Sequence, residues 1–209
     1  MMKAERFITL EGIEGAGKST LAQGLQEALR ARGLRVMLTR EPGGTPLAER
    51  LRSLVLERGS EQIVPPVETL LMFAARSIHI ENRLRPAHAR GSWIICDRFT
   101  DATRAYQGAG RGVDTELIER LAGTVHADFW PQRTLLLDLS VEQGLARVRS
   151  RRGSGDRFED EDVRFFERVR RRYLEIAAAE PDRMRVLDAA VAPGDLLQSA
   201  LAALDGLLP

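Results

Sequence analysis

A chain of 209 residues with 31 Lys and Arg against 30 Asp and Glu, a net charge of +1, suits one α/β domain and has no global field to attract nucleic acid. The single cysteine, Cys96, excludes a disulfide framework. No apolar stretch approaches the ~18 residues of a membrane span, and Glu5, Arg6 and Glu11 interrupt any signal-peptide pattern, so a cytosolic protein without membrane or nucleic-acid partners is expected.

Residues 7–10 form a short apolar run that predicts the first strand. Directly after it, Gly12-Ile13-Glu14-Gly15-Ala16-Gly17-Lys18-Ser19 fits G-x-x-x-x-G-K-[S/T] at every fixed position. The glycines let consecutive backbone N–H groups turn toward one anion, Lys18 can reach β- and γ-phosphates, and the Ser19 hydroxyl is placed to ligate Mg²⁺. The pattern also arises by chance, so its context decides. Here Leu21, Leu25, Ala28 and Leu29 share one helical face and Gly33 stops the helix, so a helix N-terminus points at the phosphates.

Further apolar runs at 36–39, 93–96, 134–139 and 184–187 predict four more strands, separated by helical patterns. Such alternation implies right-handed crossovers and a parallel sheet covered on both faces. No linker divides the chain, so residues 1–209 read as one domain. Functional groups in such sheets gather beyond the carboxyl ends of the strands, which selects 11–19, 40–44, 97–107 and the segment after Asp188 as one mouth.

The second strand ends in Thr39-Arg40-Glu41-Pro42-Gly43-Gly44, a bent turn with little side chain in the way of a ligand. From this segment alone a solvated Arg40 and a ligand-facing one are equally good accounts. In the run 70–73, Leu70 and Leu71 read as core packing. The third strand ends in Cys96-Asp97-Arg98: Cys96 reads as a buried thiol, Asp97 can hold Mg²⁺ or its waters, and Arg98 suits a second phosphate. Beside a phosphate loop this outweighs a local Asp97–Arg98 ion pair, because enzymes with such loops take a second metal-holding carboxylate from a strand end. Arg147, Arg149, Arg151, Arg152 and Arg157 concentrate positive charge around Gly153-Ser154-Gly155. A mobile lid, a solvated helix end and a nucleic-acid contact are the three readings, the last weakened by the lack of aromatic stacking partners. His79, His88 and His126 lack ligand spacing and receive no role. The run 196–208 reads as a closing amphipathic helix.

The phosphate loop, the Thr-Arg-Glu-Pro-Gly-Gly turn, Asp97-Arg98-Phe99 and Ala105-Tyr106-Gln107 together resemble the thymidylate kinases, in order and spacing over essentially the whole chain. The resemblance implies the fold of P-loop nucleoside monophosphate kinases, with a five-stranded parallel sheet flanked by helices. It also implies a homodimer and phosphoryl transfer from Mg·ATP to dTMP, giving dTDP and ADP. Gly12 to Ser19, with Thr20, would bind ATP, with Ser19 and Asp97 at the metal. Arg98 would bind the dTMP phosphate with help from Arg40, and Glu14 would contact the 3′-hydroxyl. Arg76 would address thymine O4, Thr103 and Gln107 the rest of the base edge, and Tyr106 the sugar.

Two departures stand out from that resemblance. Met72 occupies the position of the usual aromatic stacker, with Phe73 next to it, so either could cover the thymine. Phe99 and Ala102 stand where D-R-Y-x-x-S is usual. The basic stretch would be the lid, at about 147–158. No arginine occupies Ile13, Glu14, Gly15 or Ala16, so the catalytic cation would come from the lid, with Arg149, Arg152 and Arg157 as candidates and Arg152 favoured for its place beside the glycine turn. Lys18 and Arg98 complete the catalytic set. The competing readings are a kinase for dUMP or a deoxynucleoside, a GTPase switch, which lacks its N-K-x-D segment here, and a nucleic-acid-dependent ATPase, opposed by the near-neutral charge.

Overall fold

The computed structural model describes residues 3–57, 61–150 and 161–208. Five strands, β1 (Lys3–Glu11), β2 (Val36–Arg40), β3 (Trp93–Asp97), β4 (Trp130–Asp138) and β5 (Met184–Asp188), form one sheet in the order β2-β3-β1-β4-β5. All four pairings are parallel. The strands are mostly buried, as expected when helices cover both faces. Two starts differ from the sequence reading. β1 begins at Lys3 and β4 at Trp130, where Pro131 pairs with Ala4 just before the β1–β4 register shifts. A proline is tolerated at such an irregular strand start, and this one hid where β4 begins.

The helices are α1 (Lys18–Ala31), α2 (Pro46–Leu56), α3 (Pro65–His79), α4 (Arg85–Ala89), α5 (Thr100–Thr103), α6 (Thr115–His126), α7 (Val141–Arg149), α8 (Val163–Ala179) and α9 (Pro193–Ala202). Local chemistry sets their starts. Thr45, Asp114, Ser140 and Asp162 cap α2, α6, α7 and α8 through side-chain oxygens. The closing helix stops at Ala202, short of the expected 208, and the chain ends in turns.

On one side of the sheet, α1 and α9 bury Leu25, Leu29, Leu196 and Ala200 against Ile8, Leu10, Ile95 and Leu137. The opposite side splits into three clusters, around Phe165 and Tyr173, around Phe7 and Phe99, and around Phe73, Ile118 and Trp130. A π-helical stretch, Arg104–Gly110, continues α5 and carries Tyr106 and Gln107. Such stretches occur mostly at functional sites. Leu70, expected in the core, is 50% exposed on the outer face of α3 beside Val67, and Leu71 is half-buried.

Candidate active site

The strand ends bring the expected segments to one mouth. Gly12 leaves β1 at φ +138°, and a Cβ there would lie 2.5 Å from the Leu137 carbonyl oxygen, so the loop crosses β4 only as glycine. A Cβ on Gly15 would collide with the backbone of Gly144 in α7, which locks the loop against that helix. Gly17, left-handed at φ 92°, precedes Lys18, the first residue of α1. A glycine loop running into a helix N-terminus in this way is the geometry that suits an anion.

Lys18 is buried and donates through Nζ to the carbonyls of Gly12 (3.0 Å) and Ile13 (2.9 Å). Burial, with the Arg98 charge adding to it, pulls its pKa down to about 8 against the pull of Asp97, Glu14 and Glu11, so an arriving phosphate would favour its charged form. Ser19 Oγ donates to Asp97 Oδ2 at 3.1 Å, which unites the two expected metal ligands. A cleft of about 550 Å³ opens beside them and is lined also by Thr39, Arg40, Glu49 and Arg83. Arg40 is exposed, paired with Glu49 Oε2 at 3.0 Å and pointing one Nη at the Pro42 carbonyl.

Arg98 does not pair with Asp97. It adopts φ +70°, which a non-glycine residue rarely does and which is a mark of functional sites. Its guanidinium donates to the Gly12 carbonyl (3.0 Å), to Glu14 Oε1 (2.8 Å) and to the Tyr106 hydroxyl (3.1 Å), and lies 4.7 Å from the centre of the Tyr106 ring. Tyr106 in turn donates to Glu14 Oε2 at 2.6 Å. Burial opposes the Arg98 charge, but Tyr106 and Glu14 hold it well above its ordinary value. Glu14 Oε1 and Oε2 thus grip an arginine and a tyrosine at the same mouth as the phosphate loop.

Behind this cluster, Glu11 is fully buried and accepts from the Phe99 N–H and the Tyr173 hydroxyl, both at 2.7 Å. Burial, helped by the charge of Asp101, pushes its carboxyl up to about 8. Tyr173 also receives Arg98 Nη1 at 3.3 Å.

Arg76 is buried in a clamp. Its Nε donates to Glu41 Oε2 at 2.7 Å, and its Nη2 to the Phe99 carbonyl and Thr103 Oγ1, both at 3.1 Å. Its Nη1 has no partner among the described residues. A buried donor of this kind calls for an acceptor, which a water or a ligand can supply. Glu41 Oε1 lies 2.9 Å from His79 Nδ1, and His79 Nε2 lies 2.8 Å from the Thr39 hydroxyl, so the imidazole bridges the carboxylate and β2. Burial alone would raise the Glu41 pKa; Arg76 and His79 together hold it below the ordinary value. His79 therefore has a role that its spacing did not suggest. Gln107 donates to the buried Glu68 at 2.7 Å.

Met72 and Phe73 separate in the fold. Phe73 lies under the Arg76 guanidinium, 4.8 Å from ring centre to Cζ, within the Ile118 and Trp130 cluster, whereas Met72 packs in the cluster of Tyr106 and Phe165. On the other side of the phosphate loop, Arg147 donates to the carbonyls of Gly15 and Ala189, bridging that loop to the segment after β5. Arg149 is exposed at the end of α7; Arg151, Arg152 and Arg157 fall outside the described residues. Cys96 is a buried free thiol whose Sγ donates to the Arg98 carbonyl, and burial raises its pKa well above the ordinary value.

The sequence reading gave no role to Glu11, Glu41, Glu68, His79 or Tyr173. Glu11 and Glu41 lay inside segments selected as the mouth, whereas Glu68 and Tyr173 lay in none.

A family model described as Thymidylate kinase matches residues 10–199. Among curated relatives, a thymidylate kinase of Pseudomonas fluorescens (strain SBW25) is 55% identical over 203 residues, covering 97% of this chain and 94% of its own. One of Alcanivorax borkumensis is 52% identical over 197 residues, covering 94% of each. A crystal structure of thymidylate kinase from Ehrlichia chaffeensis superposes with a TM-score of 0.79 at 31% identity, covering 98% of this chain and 100% of that one.

Proposed function

Because this chain belongs to the thymidylate kinase family, we propose that it transfers the γ-phosphoryl group of Mg·ATP to the 5′-phosphate of dTMP, giving dTDP and ADP for dTTP synthesis. The observation that carries this reading is Arg98. A half-buried guanidinium held by Glu14 and Tyr106 beside a phosphate loop supplies a second anion site next to the first, which is what a kinase acting on a monophosphate needs.

In this reading the loop N–H groups and Lys18 hold the β- and γ-phosphates. Arg98 holds the acceptor phosphate, whose oxygen attacks the γ-phosphorus as the bond to the ADP oxygen breaks. No general base is required, since the attacking oxygen is already an anion. Ser19 and Asp97 would hold Mg²⁺, which when bound offsets phosphate charge; their hard oxygen donors fit such an ion. Arg76, Thr103 and Gln107 hold the base, Glu14 and Tyr106 face the sugar, and Met72 or Phe73 covers the thymine face. Arginines of the lid, Arg149, Arg152 and Arg157, bring positive charge to the transferring group. Arg40 assists at the acceptor phosphate on exchanging its contact with Glu49.

A homodimer fits the apolar side chains that α2 and α3 expose, Leu47, Leu54, Val67 and Leu70. A cytosolic setting fits the single free thiol. No helix among the described residues is long and apolar enough to cross a membrane.

The test is coupled ADP release with dTMP, dUMP, dCMP, dGMP and thymidine as acceptors. Turnover highest with dTMP is expected; turnover with thymidine but not dTMP would overturn the assignment of Arg98.

A further inference from the structure

Glu68 is 1% exposed, an unusual place for a carboxylate, and neither phosphate nor metal binding uses it. Its Oε1 accepts from Gln107 Nε2 at 2.7 Å and lies 3.7 Å from Arg111 Nε. A carboxylate facing a guanidinium is an acceptor only, whereas a glutamine amide offers a donor face and an acceptor face. Contact with Glu68 therefore decides which face of Gln107 is consumed. The NH₂ group is taken, and Oε1 is left without a hydrogen bond among the described residues.

The neighbouring polar groups have no such freedom. Arg76 can only donate, and its Nη1 is orphaned. The Thr103 oxygen already accepts from Arg76 Nη2, so its own proton is what remains to be offered. The three side chains thus present two donors and one acceptor. A 2,4-diketo pyrimidine with a proton on N3 presents two acceptors and one donor. A 4-amino pyrimidine presents an amino donor to Arg76 and a bare N3 to the Gln107 carbonyl, wrong on both counts.

We propose that Glu68 is the positioning residue that sets base specificity: by fixing the Gln107 amide with its carbonyl toward the bound base, it admits thymine or uracil and rejects cytosine. This rests on the reading that Arg76, Thr103 and Gln107 hold the acceptor base. Glu68 touches no substrate itself and acts through Gln107.

The experiment compares kcat/KM for dTMP, dUMP and dCMP in the wild type and in Glu68→Gln, with calorimetric binding of dTMP and dCMP alongside. A glutamine at 68 can meet either face of Gln107, which frees the amide to turn. The dTMP:dCMP ratio is expected to fall about tenfold or more. The dTMP:dUMP ratio stays as in the wild type, because those two bases carry the same polar edge. If Glu68→Gln does not fold, Glu68→Met, of similar shape and without a hydrogen bond to Gln107, carries the same expectation. An unchanged dTMP:dCMP ratio, or an equal loss on all three acceptors as a structural role would give, overturns the proposal. A wild type that does not turn over dTMP overturns the assigned reaction as well, and the same series separates the two failures.

Discussion

The two sides of the mouth are built by different means. On the side proposed for the phosphoryl donor, the groups lean on backbone: the phosphate-loop N–H groups, a lysine resting on the Gly12 and Ile13 carbonyls, and Arg147 bridging two loop carbonyls. On the side proposed for the acceptor, side chains are set by buried or half-buried carboxylates: Arg98 by Glu14, Arg76 by Glu41 and Gln107 by Glu68. A backbone site suits ATP, whose phosphates are common to many nucleotides. A carboxylate-positioned site suits an acceptor that must be told from its close relatives, since fixed polar groups punish a wrong edge. Charge follows the same division. Lys18 is desolvated and has no carboxylate at hydrogen-bond distance among the described residues, while Arg98 and Arg76 are paired with carboxylates before substrate arrives.

The largest effect should come from removing the donor-side cation. Lys18→Ala is expected to reduce kcat by about 10³-fold or more, with dTMP binding by calorimetry close to wild type and a far-UV spectrum of folded protein. Normal turnover in the folded variant would sink the phosphate-cradle assignment. Loss of dTMP binding along with turnover would show that the two sides are not separable.

In the proposed function the lid arginines add to the donor side. Arg149, Arg152 and Arg157 changed together to alanine should lower kcat by about 10³ while leaving ATP and dTMP affinities nearly unchanged, as for a cation that acts in the transition state. Single substitutions would then rank the three. A triple variant with wild-type kcat leaves Lys18 and Arg98 as the catalytic cations.

This division also explains what the sequence disclosed. The phosphate loop is local: eight consecutive residues specify it, so Lys18 and Ser19 were legible, as was Asp97 at a strand end. Glu41 reaches Arg76 across 35 residues, Glu68 reaches Gln107 across 39, and Glu11 reaches the Phe99 N–H across 88. No local pattern records such meetings. The five strands were legible because they are apolar runs, but not the start of β4, where Pro131 interrupts the pattern. Leu70 misled for the converse reason: an apolar side chain on α3 reads as core whether it faces inward or lies on an outer face.

On the acceptor side, Arg76→Ala should raise KM for dTMP about 10- to 100-fold while KM for ATP stays within a factor of about two. Removing Arg76 also strands Glu41 as a buried charge, so the alanine variant should melt lower than wild type. Arg76→Lys keeps a cation near Glu41 and lacks the guanidinium fork. It should recover much of the melting temperature but not the dTMP KM. Steady-state kinetics with each substrate varied, together with thermal melts, separate recognition from stability. A rise in the ATP KM alone would contradict the division.

An effect on stability alone sharpens the contrast among the buried carboxylates themselves. Glu41 faces a guanidinium and has a lowered pKa, whereas Glu11 is met by an N–H and a hydroxyl and is pushed up to about 8 from the unperturbed 4.5. Between those two values the folded chain retains a proton that the unfolded chain releases, so the folded state binds more protons and Glu11 makes stability fall as pH rises through this window. Glutamine has no such proton to lose. Glu11→Gln should therefore gain stability relative to wild type as pH goes from 5 to 8, by at most about 1.4 kcal/mol for each pH unit, with about 2–4 °C of melting temperature for each kcal/mol. Subtracting the two melting curves at each pH cancels the other titrating groups. A flat difference would mean that Glu11 is already ionised in the folded protein, and that the neighbouring Arg98 supports its charge as Arg76 supports that of Glu41.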